Sequence, residues 1–422
     1  MTEDAGKIVV IGGGVAGLCA AVYARRCGYQ VELLEQHQSA GGLATSWRRG
    51  DYTFETCLHW LVGSNPSGIL HAEWREVCDI DTLRFVDHDE FVRLEDEHGA
   101  SLHIFTDVDR LEAELLNVAP EDEDEIRRFT SAIRHLVNFP MPHPGESWPA
   151  RIANMLQMLP NLPLLWRLSH LSIEDYGRRF KHPLLRAFFD GGAMGNLSVL
   201  ALVFSLAWMS GRNAGYAIGG SQALIRLIVE RFVSLGGRVR YGARVSKILA
   251  EDDVATGVQL EGGEIIPADW VVSAADGHAT IRDLLAGKYT DAAFDKAFAS
   301  YETFPSYLQV SLGVARDLSQ QPGYLRLVLD KATRSIHRLT FVRSRFASSI
   351  SIRPSRRKAR PPSPVSCRRG TSIGGRNFAA RTISVIRRKS IALPTPSSPF
   401  SNAGCPVSVR TSTPSMCRRP RR

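Results

Sequence analysis

The final 92 residues of this chain contain no aspartate and no glutamate. Residues 331–422 carry 22 Lys+Arg against no acid, whereas residues 1–330 carry 30 Lys+Arg and all 43 Asp+Glu. The net charge of +9 therefore conceals one segment at −13 and another at +22. With roughly one acidic residue in ten, chance supplies such a run on the order of once in ten thousand chains. Other absences exclude whole classes. The seven cysteines form no CxxC pair and no regular spacing, which argues against a zinc ribbon or a disulfide framework. No apolar run approaches the ~20 residues a membrane-spanning helix needs. The start, Met1-Thr2-Glu3-Asp4, lacks the basic and apolar pattern of a secretory signal, so a reducing, cytoplasmic setting is expected. What is present, 44% hydrophobic and 23% charged residues over 422 positions, describes a globular chain of two or three domains.

The chain opens with Lys7-Ile8-Val9-Val10-Ile11, a short β-branched run that reads as a buried parallel strand. Gly12-Gly13-Gly14-Val15-Ala16-Gly17 follows, then a helical pattern from Leu18 to Arg26 and a second strand from Gln30 to Leu34, closed by Glu35. In this arrangement Gly12 permits the tight turn, Gly14 lets backbone approach a pyrophosphate, and Gly17 lets helix pack on strand. The helix N-terminus around Ala16 offers N–H groups and a positive dipole end. Glu35 stands where a carboxylate accepts the hydrogen bonds of a ribose diol. A dinucleotide site is expected, and these residues alone do not separate NAD from FAD.

The segment Ser39-Ala40-Gly41-Gly42-Leu43 resembles the flavin-dependent amine oxidase and phytoene desaturase superfamily, in which a glycine pair touching the flavin nucleotide follows the fingerprint. The chain departs from that pattern at Leu43, where the family has arginine. The resemblance continues through residues 52–63, which look like the flavin-adjacent segment of carotenoid desaturases and isomerases and carry His59. As residues alone, Gly41-Gly42 also reads as a loop hinge and His59 as a structural histidine. Further on, Tyr216 to Ser221, a helix from Ala223 to Leu235, and strands near 238–241, 245–249, 256–260 and 268–275 resemble the second part of the same flavin domain. The resemblance implies that the backbone of Val245 faces the adenine. It implies no acid–base residue, and neither a catalytic side chain nor a metal site is assigned.

Residues 83–105 read as a hairpin turning at His98-Gly99, and Glu121 to Glu125 behind Pro120 as a solvated first helical turn. Four prolines between 140 and 149 precede Met155 to Trp166, a charge-free stretch rich in Leu and Met. It fits a membrane-surface contact, a lipophilic tunnel wall or ordinary core. Leu197 to Met209, a second apolar run, has the length of a buried helix and suits a place beside the flavin ring. Tyr307 to Val314 reads as a further strand.

Residues 331–422 admit a reading through the genetic code. Shifted by one nucleotide, residues 351–361 permit the string FDPTFAPKGKT, which looks like the phytoene desaturase family at this point of the chain. A frame shift accounts together for the missing acids and the surplus of Arg, Ser and Pro; a basic disordered tail is the alternative. The expected fold is α/β: a Rossmann-like FAD-binding domain with an inserted α+β substrate domain and a disordered C-terminal tail. Its parts are FAD-binding at 1–75 and 210–290, substrate-binding at 76–209 and 291–330, and the aberrant tail at 331–422. The expected function is FAD-dependent hydride transfer with a lipophilic, polyisoprenoid- or carotenoid-like substrate, crippled by the C-terminus as written. Peripheral membrane contact is expected as an addition and nucleic acid is not. A flavin amine oxidase, or a non-enzymatic basic-tailed protein binding nucleotides or nucleic acid, are the rival readings.

Overall fold

The computed structural model describes residues 6–55, 57–139, 147–190, 195–301, 308–318, 321–328, 339–342 and 383–385. Strand β1 (Lys7–Ile11), helix α1 (Val15–Arg26) and strand β2 (Gln30–Leu34) come first, with β1 and β2 parallel and Val10 opposite Leu33. Strand alternation explains why β1 is apolar throughout. Ile8 and Val10 join a cluster with helical residues such as Leu18, Val22 and Ile228, while Val9 and Ile11 join a second cluster with Val258 and Ile266. Helix α1 ends on Arg25 and Arg26, which suit the negative end of the dipole, just before Gly28.

The chain then builds the hairpin β3 (Glu90–Asp96) and β4 (Ser101–Phe105). Helices α2 (Val108–Val118), α3 (Glu123–Val137), α4 (Trp148–Met158), α5 (Leu162–Ser169) and α6 (Val199–Ser210) follow. It returns through α7 (Gly220–Ser234) and β5 (Arg238–Arg240) to a meander of β6 (Val245–Glu251), β7 (Val254–Leu260) and β8 (Ile265–Pro267), then β9 (Trp270–Ser273). The order β5-β2-β1-β9 makes a wholly parallel sheet. Helices α1 and α7 cover one face and the antiparallel meander the other, the layering expected of a Rossmann-like nucleotide domain.

The α+β part is a six-stranded sheet that adds β10 (Leu308–Val310), β11 (Tyr324–Val328), β12 (Leu339–Val342) and β13 (Ile383–Val385) to the hairpin, in the order β10-β13-β12-β11-β3-β4. Of the strand expected over 307–314, the stretch from Leu308 to Val310 is extended. Strands β12 and β13 come from the acid-free stretch; the remaining expectations for residues 331–422 lie outside the described residues. Behind the hairpin, Leu94, Leu102 and Ile104 pack with Leu111, Phe129 and Val203 in the largest apolar cluster.

Two expectations need correction here. The acidic run is not a solvated face throughout, since Asp122 and Glu125 are buried. Asp122 accepts from the backbone N–H of Lys181 and His182 at 2.8–2.9 Å, and Glu125 pairs with Arg128 and Arg179. Burial of a carboxylate is tolerated where fixed donors replace water. Of the alternatives open for residues 155–166, ordinary core describes only Leu164 and Leu165, which pack against the apolar cluster; α4 and the turn Leu159–Asn161 bury no residue, and α5 buries only Leu168. Its prolines stand at the starts of these helical pieces, where a missing N–H costs nothing. The run 197–209 does form the buried helix α6, but it packs with α3 and the hairpin and shares no apolar cluster with the glycine loop.

Candidate functional site

The loop after β1 is held by backbone contacts before any ligand is considered. Gly12 donates to the Leu34 carbonyl at 2.8 Å, and Gly41 donates to the Gly13 carbonyl at 2.8 Å. Gly14 and Gly41 form a parallel bridge, so the fingerprint and the glycine pair meet side by side although 27 positions separate them. Gly41 has φ +137°, and a Cβ there would lie 2.7 Å from the Ala44 carbonyl oxygen, a conformation and a distance that only glycine tolerates. Beside it Gly42 approaches Gly14 closely enough that a Cβ would stand 3.2 Å from the Gly14 Cα.

Glu35 is 5% exposed and ties this loop to β2. Its Oε2 accepts from Gly13 N–H at 2.7 Å and its Oε1 from His37 N–H at 2.8 Å. A carboxylate has roughly four acceptor sites, so two remain for hydroxyl donors. The Glu35 backbone pairs with Arg240 and Ala243, drawing the β5–β6 connection alongside. Val245 follows, buried at the start of β6 in the cluster that holds Ile11 and Leu34. The structure thus brings together Gly12, Gly14, Gly41, Gly42 and Glu35, and places Val245 on the segment adjoining Glu35.

Helix α1 begins at Gly14, an extended residue with no side-chain cap and no acid in the first turn. Ala16 is exposed there, while Gly17 is buried. The uncapped N–H groups and the dipole favour an anionic diphosphate. A cradle of glycines that side chains would fill, an uncapped helix start and a half-satisfied carboxylate together fit a dinucleotide of the FAD type. Leu43, where the family has arginine, is 87% exposed and supplies no charge.

His59 is accessible on its surface yet crowded by neighbouring atoms, and desolvation lowers its pKa despite the opposing charge of Glu55. Its ring lies 6.5 Å from that of Tyr324, edge-on, and 6.3 Å from that of Trp60; Trp60 in turn meets Phe91 at 5.7 Å. His59 therefore stands where the segment following the glycine pair meets the six-stranded sheet. Sequence reading missed Glu55, whose carboxylate accepts from both the N–H and the hydroxyl of Ser221 and so caps the start of α7. The only available sign was a charged residue inside an apolar-aromatic segment. Among the described residues, no group of three or more His, Cys, Asp or Glu side chains could hold a metal ion.

Comparison with known proteins agrees with this geometry. The family described as flavin containing amine oxidoreductase matches residues 15–306. The phytoene desaturase (neurosporene-forming) of Rhodobacter capsulatus is 26% identical over 365 residues, covering 83% of this chain and 68% of that protein. Prolycopene isomerase 1, chloroplastic, of an Oncidium hybrid cultivar is 26% identical over 344 residues, covering 74% of this chain and only 57% of its own length. Among solved structures, an oxidoreductase from Methanosarcina mazei shares the fold with a TM-score of 0.53 at 22% identity, covering 81% of this chain and 75% of that one. With more than half its length matched, and with a glycine cradle suited to FAD, this chain belongs to the flavin containing amine oxidoreductase family.

Proposed function

We propose that this chain is built as an FAD-dependent oxidoreductase that moves hydride between a lipophilic, polyisoprenoid- or carotenoid-like substrate and the flavin. The observation that carries the reading is the Gly14–Gly41 juxtaposition beside Glu35, in a chain whose curated relatives include phytoene desaturases. FAD when bound supplies the hydride chemistry. The protein's own residues bind and orient: the start of α1 holds the diphosphate, and Glu35 braces the loop and receives the ribose. The connection through Val245 flanks the adenine, and Gly41-Gly42 give the nucleotide close backbone contact. On this reading residues 1–75 and 210–290 serve the cofactor, and residues 76–209 and 291–330 the substrate.

The lipophilic substrate class is supported by the exposed apolar residues of α4, α5 and the turn between them, among them Met155, Leu156, Leu159, Leu162 and Trp166. Such a patch marks an interaction surface, and among the described residues no helix is long and apolar enough to cross a membrane. Peripheral contact with lipid is part of this reading. Leu164 and Leu165 pack against the core, so Leu159→Asp with Leu162→Asp is the informative variant: it should lose flotation with vesicles while keeping its fold.

The cofactor reading is tested with protein carrying an in-frame C-terminus, which should purify yellow with a flavin absorbance. Glu35→Ala should weaken FAD by a few kcal/mol at most, the loss of one charge-assisted acceptor. Tight NAD binding with no affinity for flavin would sink the proposal.

A further inference from the structure

Which lipid the α4–α5 face meets is addressed by a cleft beside it. Between α3 and α5 lies a cavity of about 530 Å³, open to solvent and lined by Arg127, Arg128, His135, Pro160, Leu164 and Arg167 among others. Two of its cations are already engaged, Arg127 with Glu112 and Glu123, and Arg128 with the buried Glu125. Arg167, on the last turn of α5, has no carboxylate partner among the described residues. The cleft therefore holds one uncompensated guanidinium over an apolar floor of Pro160 and Leu164.

The apolar stripe runs past this opening. Met155, Leu159, Leu162 and Trp166 recur at steps of four, three and four residues and are 59%, 50%, 46% and 69% exposed. Residues 147–173 contain no acid, so nothing on this segment repels an anionic surface. An exposed apolar stripe with basic neighbours and terminal tryptophans, Trp148 and Trp166, has the makeup of an interfacial element whose rings sit at headgroup depth. Arg167 directly follows Trp166 and lines the cleft.

We propose that the cleft between α3 and α5 takes the phosphate of an anionic membrane phospholipid, held by Arg167, while the stripe contacts acyl chains. The proposal rests on the membrane-facing reading of residues 155–166. It commits to a bilayer phosphate because the cavity opens beside the stripe.

The test is flotation of the soluble fraction of the full 422-residue chain, cleared of aggregate by centrifugation beforehand, on vesicles of phosphatidylcholine alone or mixed with phosphatidylglycerol. The chain should float better with phosphatidylglycerol. Arg167→Gln should reduce that preference about fivefold, the equivalent of ~1 kcal/mol per arginine near a charged surface, and leave flotation on phosphatidylcholine unchanged. Arg167→Lys should retain part of the preference. Arg368→Gln, within the acid-free stretch, should change neither. Equal losses from Arg167→Gln and Arg368→Gln would show diffuse charge attraction and overturn the cleft. Equal flotation of the unaltered chain on both vesicles overturns the cleft and leaves the membrane reading standing, whereas no flotation on either removes both. Binding of inorganic phosphate that Arg167→Gln abolishes, without any vesicle preference, assigns the cleft to free phosphate and overturns the lipid site.

Discussion

A Cβ on Gly17 would sit 2.0 Å from the Gly12 carbonyl oxygen and 3.1 Å from the Ala274 side chain. The first of these is backbone, so relief requires moving α1 off β1. Gly17→Ala should cost about 3 kcal/mol, the upper range for overpacking, and should lower both the melting temperature and the flavin content of in-frame protein. At Glu90, desolvation opposes ionisation, yet hydrogen bonds from Arg93 and His103 prevail and hold the carboxyl below its ordinary 4.5. A folded-state pKa below the unfolded one gives stability that is present above about pH 4.5 and lost as pH falls through the folded value. In denaturant titrations, Glu90→Gln should therefore lose less stability than the unaltered chain as pH drops below 4.5; parallel decline would show the network contributes nothing. The residues of the glycine loop and Glu35 were legible in the chain because their spacing is a local requirement of one turn. Ser221 as the partner of Glu55 was not, since 166 positions separate them.

Elements differ in how openly they declare themselves. Strands β1 and β2 and helix α1 follow from β-branched runs and a helical pattern bounded by glycine. The prolines of 149–163 suggest breaks, and the structure uses them as starts of successive helical pieces. The acidic run at 121–125 signals a helix N-terminus correctly, but the same letters say nothing about Lys181 and His182 arriving to donate to Asp122. Removing that acceptor leaves two backbone donors unpaired. Asp122→Ala should cost about 2–3 kcal/mol and lower the melting temperature, with Asp122→Asn recovering part of the loss. Equal melting of Asp122→Ala and the unaltered chain would mean that water replaces the carboxylate.

For the whole molecule, the decisive question is the acid-free segment. Strand β11 lies parallel to β3, with Leu325 opposite Arg93, and the strands that continue the six-stranded sheet from β11 to β10, namely β12 and β13, come from the acid-free stretch. We propose that residues beyond about 331 are read out of frame, so that they bring unintended side chains to that sheet and deprive the flavin site of its intended partner. Expressed as 422 residues, the protein should be poorly soluble, carry less than stoichiometric flavin and show a protease-sensitive segment beginning near Asp330. Restoring the frame by one nucleotide should recover acids, solubility and FAD together, as read by sedimentation and absorbance. A soluble, flavin-loaded and active 422-residue product would overturn this.

Sequence by itself determined the βαβ nucleotide unit, the later helix and strands that rejoin it, and the compositional break, because each depends on neighbours within a few positions or on composition alone. Tertiary structure decided which apolar stretch is core and which is surface: α6 and the segment from Met155 to Trp166 look alike as letters, yet the first is enclosed by α3 and the hairpin while the second, Leu164 and Leu165 apart, turns most of its apolar side chains to solvent. It also decided which carboxylates are buried and which segments meet at the glycine loop. The physical reason is common to all three. Burial and hydrogen-bond satisfaction belong to pairs of groups brought together across the chain, and no window along the sequence contains both members.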